Sequence, residues 1–499
     1  MKLLMKHQKT DKFNIKQNGI QVIEDNKKIE IYNDPFRTVP LFITKDKNQE
    51  LIIFSNFENF YNFKNIDKTI DEIGFWEIVL FGSSLWTRTL YKSVKQMPSA
   101  SKIAIDKETN EYTIERYWNF NVNENTDIDS EQKAAKGLYD RLDVIFSKLD
   151  IKQKYIMGMS GGMDSRINLA FLSKYIPKEN LKLFTYGFDE KILEYKYAKQ
   201  ISKALRYSIP KFHKLNINSY KTTREYLPQI SGGQIGINHC HILDYLKNNN
   251  LAGYKQLSTY FSDAIFGWDC VNPKNIKKVS NNYYIDIVKN SEYLPETIKE
   301  EIKKDSIKIF ESFDKEANYS SLNEYKYVTE RNQKFHTYLA FLQGQLIDTD
   351  ILYANYELLK YVLSIPIKFR EQKKLIDYIL DNYFKNISSR DFKNISSRFQ
   401  WGSKFSALID WYGFKFLNRA NLILRLLTKG HIQLFNKYQT EEQDRLLYRD
   451  FHYELKKATA KFVKSGLMTK KQKKYWDKLP LKSKGISERF YLISLGKLI

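Results

Sequence analysis

Between Tyr155 and Arg166 the chain reads Tyr-Ile-Met-Gly-Met-Ser-Gly-Gly-Met-Asp-Ser-Arg, and this stretch holds the residues best suited to chemistry. Gly161 and Gly162 let the backbone turn tightly and present its N–H groups at close range. A helix expected to start near Asp164 adds the partial positive charge of its N-terminus. Ser160 and Ser165 supply hydroxyl donors. Together these groups make a site for a polyanion such as pyrophosphate. Asp164 would repel a phosphate directly, so its role there is to hold a bridging Mg²⁺. No Gly-Lys-Ser/Thr follows, so the turn is not a Walker A loop. Walker loops hold the β- and γ-phosphates for γ-transfer, whereas this arrangement suits a departing pyrophosphate. Ser and Asp around a glycine turn also make an ordinary helix cap. The strand before, the helix after and the Asp-Ser pair favour the nucleotide loop.

Such a turn needs a strand to deliver it and a helix to leave by. Lys154–Met159 reads as a strand and Asp164–Lys174 as a helix. Leu181–Tyr186, Lys211–Leu215 and Tyr254–Ser258 read as further strands, with Lys191–Leu205 and His239–Leu246 as helices between them. That alternation predicts βαβ units, a parallel sheet and the α/β class. Upstream, Glu131–Leu149 is helical, with Leu138, Leu142, Ile145 and Leu149 on one stripe. Residues 1–125 read as short strands and turns, among them Ile20–Ile23, Leu51–Phe54, Lys102–Ile105 and Thr113–Trp118. Asn121–Ser130 is a polar linker, and from Asp286 onward the periodic segments are mostly helical. The expected division is 1–125, 131–400 and a helical extension over 401–499. Phe384–Arg390 recurs as Phe392–Arg398. Two copies do not make a solenoid, so this reads as a duplicated loop whose Arg390 and Arg398 could reach a phosphate.

Composition narrows the class. A net charge of +23 suits polyanionic partners, but the charge is spread rather than blocked, so no stable nucleic-acid partner is expected. Cys240 and Cys270 are the only cysteines, which excludes a disulfide framework and suits a reducing, cytoplasmic setting. Met1–Lys9 has no apolar core of a secretory signal. No run of about 18 apolar residues predicts a membrane span. Leu422–Leu427 and Tyr491–Ile499 are short and apolar, and read as buried helix rather than membrane-surface contacts. His239-Cys240-His241 invites a metal reading, but adjacent side chains diverge and no second pair stands at ligand spacing, so zinc is not expected.

Ser-Gly-Gly-Met-Asp-Ser after a strand resembles the PP-loop of ATP pyrophosphatases, and within them the chain resembles the asparagine synthase family. Thr89–Ser99, followed by Tyr117-Trp118, is similar to the family's passage out of its N-terminal domain. Phe184-Thr-Tyr-Gly187 with Glu194–Ala198 resembles its second strand and helix. Leu257–Gly267 resembles the Asp-Glu-Leu-Phe-Gly signature, and Lys368–Leu380 the late segment with an active-site lysine. The likeness spans roughly residues 75–400. It implies a parallel-sheet PP-loop domain of the adenine nucleotide α-hydrolase kind with a helical C-terminal part. A smaller, β-rich, degenerate Ntn-type glutamine amidotransferase-like domain would precede it. It further implies ATP and Mg²⁺. Ser160, Gly161, Gly162, Asp164 and Ser165 would hold pyrophosphate and metal, with Asp263 as the second metal carboxylate. Lys373, or its neighbour Lys374, would neutralise charge on the α-phosphate. Leu183, Phe184 and Gly187 would line the adenine pocket. Alternative roles are a helix cap for Asp263, a solvated surface position for the lysine, and plain core packing for Leu183 and Phe184. The implied reaction is attack of a carboxylate on the α-phosphorus, loss of pyrophosphate, then capture of the acyl-adenylate by an amine to give amide and AMP.

The chain also departs from that pattern. Complete members hydrolyse glutamine with an N-terminal cysteine, but position 2 is Lys2 and neither cysteine lies in the N-terminal part. No glutaminase activity is expected, and that part would serve as a scaffold or bind a substrate peptide. Thr259-Tyr260 stands where the family has Gly-Glu, and Ala264 where it has Glu. Free aspartate with ammonia is therefore a less apt substrate pair than a peptide or glycan precursor, as in lasso-peptide cyclases and β-lactam synthetases. Two competing readings remain at this stage. One is a PP-loop tRNA-modifying enzyme, suggested by the basic charge and opposed by the Thr89–Trp118 passage. The other is a decayed, non-catalytic nucleotide- or peptide-binding protein, suggested by Tyr260 and Ala264 and opposed by Asp164 and Asp263.

Overall fold

The computed structural model of the chain describes residues 1–267, 283–311, 325–388, 446–478 and 485–499, with a few single positions between 420 and 432. Cys270, Arg390 and Arg398 lie outside the described residues, as do Leu422, Arg425 and Leu426; Ile423 and Leu427 are exposed, so the expected buried helix over Leu422–Leu427 is not met at these two positions.

Period-two alternation builds the N-terminal layers. Strands β1 (Lys2–Leu4), β5 (Phe42–Lys45), β6 (Leu51–Phe54) and β7 (Lys95–Gln96) form a sheet in the order β1-β6-β5-β7. Strands β2 (Gln8–Lys9), β3 (Ile20–Glu24), β4 (Lys28–Asn33), β8 (Ser101–Asp106) and β9 (Tyr112–Arg116) form a second sheet in that order. Successive side chains of a strand face opposite ways. Leu51 and Ile53 of β6 accordingly share a core with Val22, Ile31 and Ile103 of the second sheet. Ile52 and Phe54 face the other way and join the main core of the molecule. The first sheet is thus covered on both faces. Reading residues 1–125 as strands and turns alone misses two helices here, Phe57–Asn62 and Glu72–Phe81. The second buries Gly74–Val79 without a break, Glu77 among them, so it carries no amphipathic periodicity to detect. Asp71 caps its first turn and Gly82, at φ 80°, ends it.

The second half of the chain folds as expected into a parallel sheet. Strands β10 (Lys154–Gly158), β11 (Leu181–Gly187), β12 (Lys211–Lys214), β13 (Tyr254–Ser258) and β14 (Thr349–Ile351) lie in the order β12-β11-β10-β13-β14. All four neighbouring pairs are parallel. The helical reading from Asp286 onward misses β14, a half-buried edge strand of three residues, too short to carry a period. Helices Met163–Tyr175, Leu193–Ala204 and His241–Lys247 fall between the strands. The strand order reverses direction between β10 and β13, and an open α/β sheet leaves a ligand crevice beyond its carboxyl ends at such a switch point.

Helix Glu131–Ser147 starts on the Ser130 side chain and buries Leu138, Leu142 and Phe146. Ile145 and Leu149 of the expected stripe are only partly buried. This helix packs on Met163–Tyr175, Tyr356–Ser364 and Lys374–Tyr383. The linker ahead of it is pinned, since the Asn123 and Asn125 amides donate to the Leu363 and Ser364 carbonyls. At the other end of the chain, helix Ile486–Leu495 is buried and packs on Glu72–Phe81. One apolar cluster runs from Phe36 to Leu495, joining N-terminal layers, parallel sheet and C-terminal helices. Among the described residues no helix is long and apolar enough to cross a membrane.

A Cβ added at Gly137, within helix Glu131–Ser147, would lie 2.0 Å from the Tyr361 hydroxyl. Helix propensity alone makes Gly137→Ala stabilising by about 1 kcal/mol. The contact is expected to reverse the sign, to a loss of about 1–3 kcal/mol by urea denaturation. In a Tyr361→Ala background the loss should disappear. Additive effects of the two substitutions would refute the contact.

Candidate active site

The glycine turn follows β10 directly. Its entry is fixed by the Met159 amide donating to the Phe184 carbonyl (2.7 Å) and by the Thr185 hydroxyl donating to the Met159 carbonyl (2.6 Å). Inside the turn the Ser160 and Ser165 hydroxyls lie 2.8 Å apart. The Ser160 hydroxyl accepts from the Gly162 amide (3.2 Å), and the Ser165 hydroxyl accepts from the Ser160 amide (3.2 Å). The two serines, expected as phosphate donors, thus brace the turn itself. Below it, the buried Arg166 guanidinium donates to the Gly161 carbonyl (3.3 Å) and feels the carboxylates of Asp377 and Asp381.

Helix Met163–Tyr175 begins at Gly162 without a side-chain cap. Asp164, in its first turn, does no capping, and its carboxylate points to Lys373. The Lys373 ammonium donates to both oxygens of Asp164 at 2.8 Å and to Asp263 Oδ1 at 2.7 Å. Asp263 sits on the short helix Ser262–Ile265 after β13, and that helix also lacks a side-chain cap. The cap explanation therefore fails for both carboxylates. Lys373 is 5% exposed, which removes the surface-lysine alternative. Its neighbour Lys374 is spent on Glu371 at 2.6 Å. The expected residues Asp164, Asp263 and Lys373 thus meet at one point, beyond the carboxyl ends of β10 and β13.

This geometry sets the electrostatics. Burial pushes the Asp164 carboxyl up to about 6; the Lys373 ammonium opposes the shift and the Asp263 carboxylate adds to it. For Asp263 burial also works upward, but Lys373 wins and holds the group below its ordinary value. Burial works against the Lys373 charge, and the two carboxylates more than compensate, raising its pKa. The donor set suits Mg²⁺, which takes one or two carboxylates and completes its shell with phosphate oxygens and water. Among the described residues no group of three or more His, Cys, Asp or Glu could hold a metal by itself.

Backbone strain and close approach build the meeting point. Phe261, just before Ser262, has φ 77°, and Lys373 has φ 61°. A non-glycine residue in that region costs on the order of 1–3 kcal/mol and persists only where its surroundings enforce it. Gly267 closes the Asp263 turn at φ 70°, and a Cβ there would lie 2.3 Å from the Arg370 carbonyl oxygen. Tyr353, just beyond β14, joins both carboxylate-bearing helices: its ring packs on Phe266 and its hydroxyl donates to Asn168 (2.5 Å). Arg166, Tyr353 and Phe261 escaped the sequence reading. Phe261 carries no sequence signal for its strain, whereas Arg166 follows the motif directly.

Leu183 and Phe184, expected at an adenine pocket, are 4% and 0% exposed. Phe184 stacks on Tyr245 with ring centroids 3.9 Å apart, in a small core on one side of the sheet, while Leu183 joins the main core. Gly187 is buried, and a Cβ there would lie 2.5 Å from Ile192 Cδ1. Tyr260 stacks on His336 at 5.7 Å and accepts a hydrogen bond from Gln343 (3.2 Å). His241 stacks on Tyr186, His239 meets the Phe335 ring edge-on, and Cys240 is fully buried between them in sequence. No family model matches the chain, and no curated protein matches it.

Two outcomes follow from this geometry. A raised carboxyl stabilises the fold while protonated; that contribution is present below about pH 4 and lost as pH rises through the folded value of about 6. Asp164→Asn is therefore expected to raise the thermal midpoint at about pH 8 by roughly 1–3 °C, with the gain vanishing near pH 4. A gain that grows on acidification would contradict it. Gly267→Ala should cost more stability than Gly253→Ala, by about 1–3 kcal/mol in chemical denaturation. Gly253 shares the left-handed backbone but has nothing within 4 Å of the added Cβ, so the difference isolates the contact with Arg370.

Proposed function

We propose that the chain is an ATP-dependent, AMP-forming carbon–nitrogen ligase of the asparagine synthase type, built on a PP-loop fold and without glutaminase activity of its own. The observation that carries this reading is the Lys373 ammonium held between Asp164 and Asp263 beside the Ser160–Gly162 turn. Two carboxylates and a lysine converge where a nucleotide's phosphates would meet the first turn of helix Met163–Tyr175. The amides of that turn have no intrahelical acceptors and face an anion naturally.

Mg²⁺, when bound through Asp164 and Asp263, would offset the charge of the phosphates and polarise the α-phosphate. The chain's own groups do the rest. The turn amides receive the departing pyrophosphate. Lys373 turns its ammonium from the carboxylates to the α-phosphate oxygens, where charge gathers as the substrate carboxylate attacks. Its raised pKa keeps it charged for that task. Ser160 and Ser165 hold the turn in shape. Burial raises the Tyr260 phenol, so it stays protonated and does not supply the base that an acidic side chain there would offer the amine. Together with Ala264 in place of an acidic side chain, this favours an amine from a substrate larger than ammonia, and a peptide or glycan precursor as the acyl donor.

The test is ATP–pyrophosphate exchange with candidate carboxylates. Wild type should exchange label, and Asp164→Ala and Lys373→Met should each lower the rate by at least about a hundredfold. Exchange that survives Lys373→Met undiminished would remove the lysine from the mechanism, and wild-type exchange that needs tRNA would point to a modifying enzyme instead.

A further inference from the structure

We propose that the N-terminal part, although it carries no thiol for glutamine hydrolysis, positions Asp263, and that Phe36 is the positioning residue. The inference rests on the ligase reading for the role of Asp263, but its argument is geometric.

Phe261 holds a left-handed backbone conformation two residues ahead of Asp263. A phenylalanine has no intrinsic reason to stay there, so a neighbour must hold it. Its ring is 1% exposed and packs edge-on against Phe36, with centroids 5.0 Å apart and planes at 81°. Phe36 is itself fully buried, on a turn that leaves little freedom. The buried Asp34 carboxylate builds that turn by accepting from the Gly19 amide (2.9 Å), the Phe36 amide (2.8 Å) and the Thr38 amide and hydroxyl (3.1 and 2.5 Å).

The same turn grips a second element of the site. The Pro35 carbonyl accepts from the Gln333 side chain at 2.7 Å. Gln333 lies in Tyr327–His336, a π-helical stretch whose last residue stacks on Tyr260. One residue further on, the buried Lys334 donates to the Ser84 and Trp86 carbonyls of the N-terminal part (3.0 and 2.7 Å) and pairs with Glu330 at 2.6 Å. A π-helix is costly and recurs where a side chain must be aimed for function. The N-terminal part therefore holds both flanks of Asp263: the backbone before it, through Phe36 and Phe261, and the Tyr260–His336 stack, through Gln333 and Lys334. A part that merely fills space would not place its most constrained turn against the most strained residue of the site.

The test measures Mn²⁺ affinity by paramagnetic resonance in the full-length protein with α,β-methylene-ATP, which cannot lose pyrophosphate. Asp263→Asn gives the affinity of a site without that carboxylate. Phe36→Ala is expected to weaken Mn²⁺ binding at least about tenfold toward that value, as loss of support behind a metal ligand does. Phe36→Leu, which keeps most of the buried volume, should recover most of the loss. Phe57→Ala removes an equally buried ring from the same core, away from Phe261, and should lower the melting temperature while leaving Mn²⁺ affinity within about twofold. Equal affinity in Phe36→Ala and wild type would overturn the positioning role alone. So would an equal loss in Phe57→Ala, which would reduce the effect to general destabilisation. Wild type that binds no Mn²⁺–nucleotide would overturn the ligase reading, and this inference with it.

Discussion

The arrangement of the molecule turns on one ammonium between two carboxylates. Lys373 meets Asp164 and Asp263 at 2.7–2.8 Å, and it lies 209 and 110 positions further along the chain than they do. A buried charge left unpaired costs several kcal/mol, so the ammonium needs a carboxylate beside it and the carboxylates need the ammonium. That requirement makes demands on the rest of the chain. The β10 and β13 strands must be adjacent, their following turns must lean toward each other, and the segment before helix Lys374–Tyr383 must come within carbonyl contact of Gly267. The parallel sheet meets the first demand by reversing its strand order at that place. The other two are met by local strain at Phe261 and Lys373 and by the left-handed turn that Gly267 allows.

Such strain has to be held by packing elsewhere, and the packing is continuous. The core that encloses Phe261 also encloses Phe36, Phe54 and Phe57 from the N-terminal layers and Leu492 and Leu495 from the final helix. Tyr353, two residues past β14, packs on Phe266 at the end of the Asp263 helix and donates to Asn168 on the Asp164 helix. The N-terminal sheets, the switch-point crevice and the C-terminal helices thus act as one frame around three side chains.

Much of that frame was legible in the sequence, for identifiable reasons. Each of the four longer parallel strands lies within two residues of its expected place; β10 and β11 are legible as apolar runs, whereas β12 (Lys-Phe-His-Lys) and β13 are legible from the regular alternation with helices. The turn at Ser160–Asp164 was legible because glycines, hydroxyls and a carboxylate coincide between a strand and a helix. Helix Glu72–Phe81 was not, because burial on every side erases the amphipathic signal. Strand β14 was not, because three half-buried edge residues carry no period. The choice between Lys373 and Lys374 is invisible in sequence, since adjacent lysines differ only in where the backbone aims them, and here a left-handed Lys373 turns one inward while Glu371 takes the other. The serine hydroxyls were assigned to a ligand, yet without one they find each other at 2.8 Å.

Charge supplies the last step. The chain as a whole carries +23, yet its candidate site places two carboxylates around a single ammonium. Under the proposed function, a polyphosphate drawn in by the general positive field would meet a local excess of negative charge at the turn proposed to receive it. Burial already strains that excess, because Asp164 is pushed up to about 6 even with Lys373 beside it. The conflict resolves if the nucleotide arrives with its own divalent cation. The carboxylates then gain a stronger partner than the lysine, and the lysine is freed for the phosphate whose charge grows during reaction. On this argument Lys373 has two stations. In the free protein it neutralises the two carboxylates, and under the proposed function its ammonium would turn to the phosphate once a metal–nucleotide occupied them. Under the proposed function the buried ion triad is a resting arrangement of the site, with Lys373 itself and Phe261, two residues before Asp263, held in left-handed backbone.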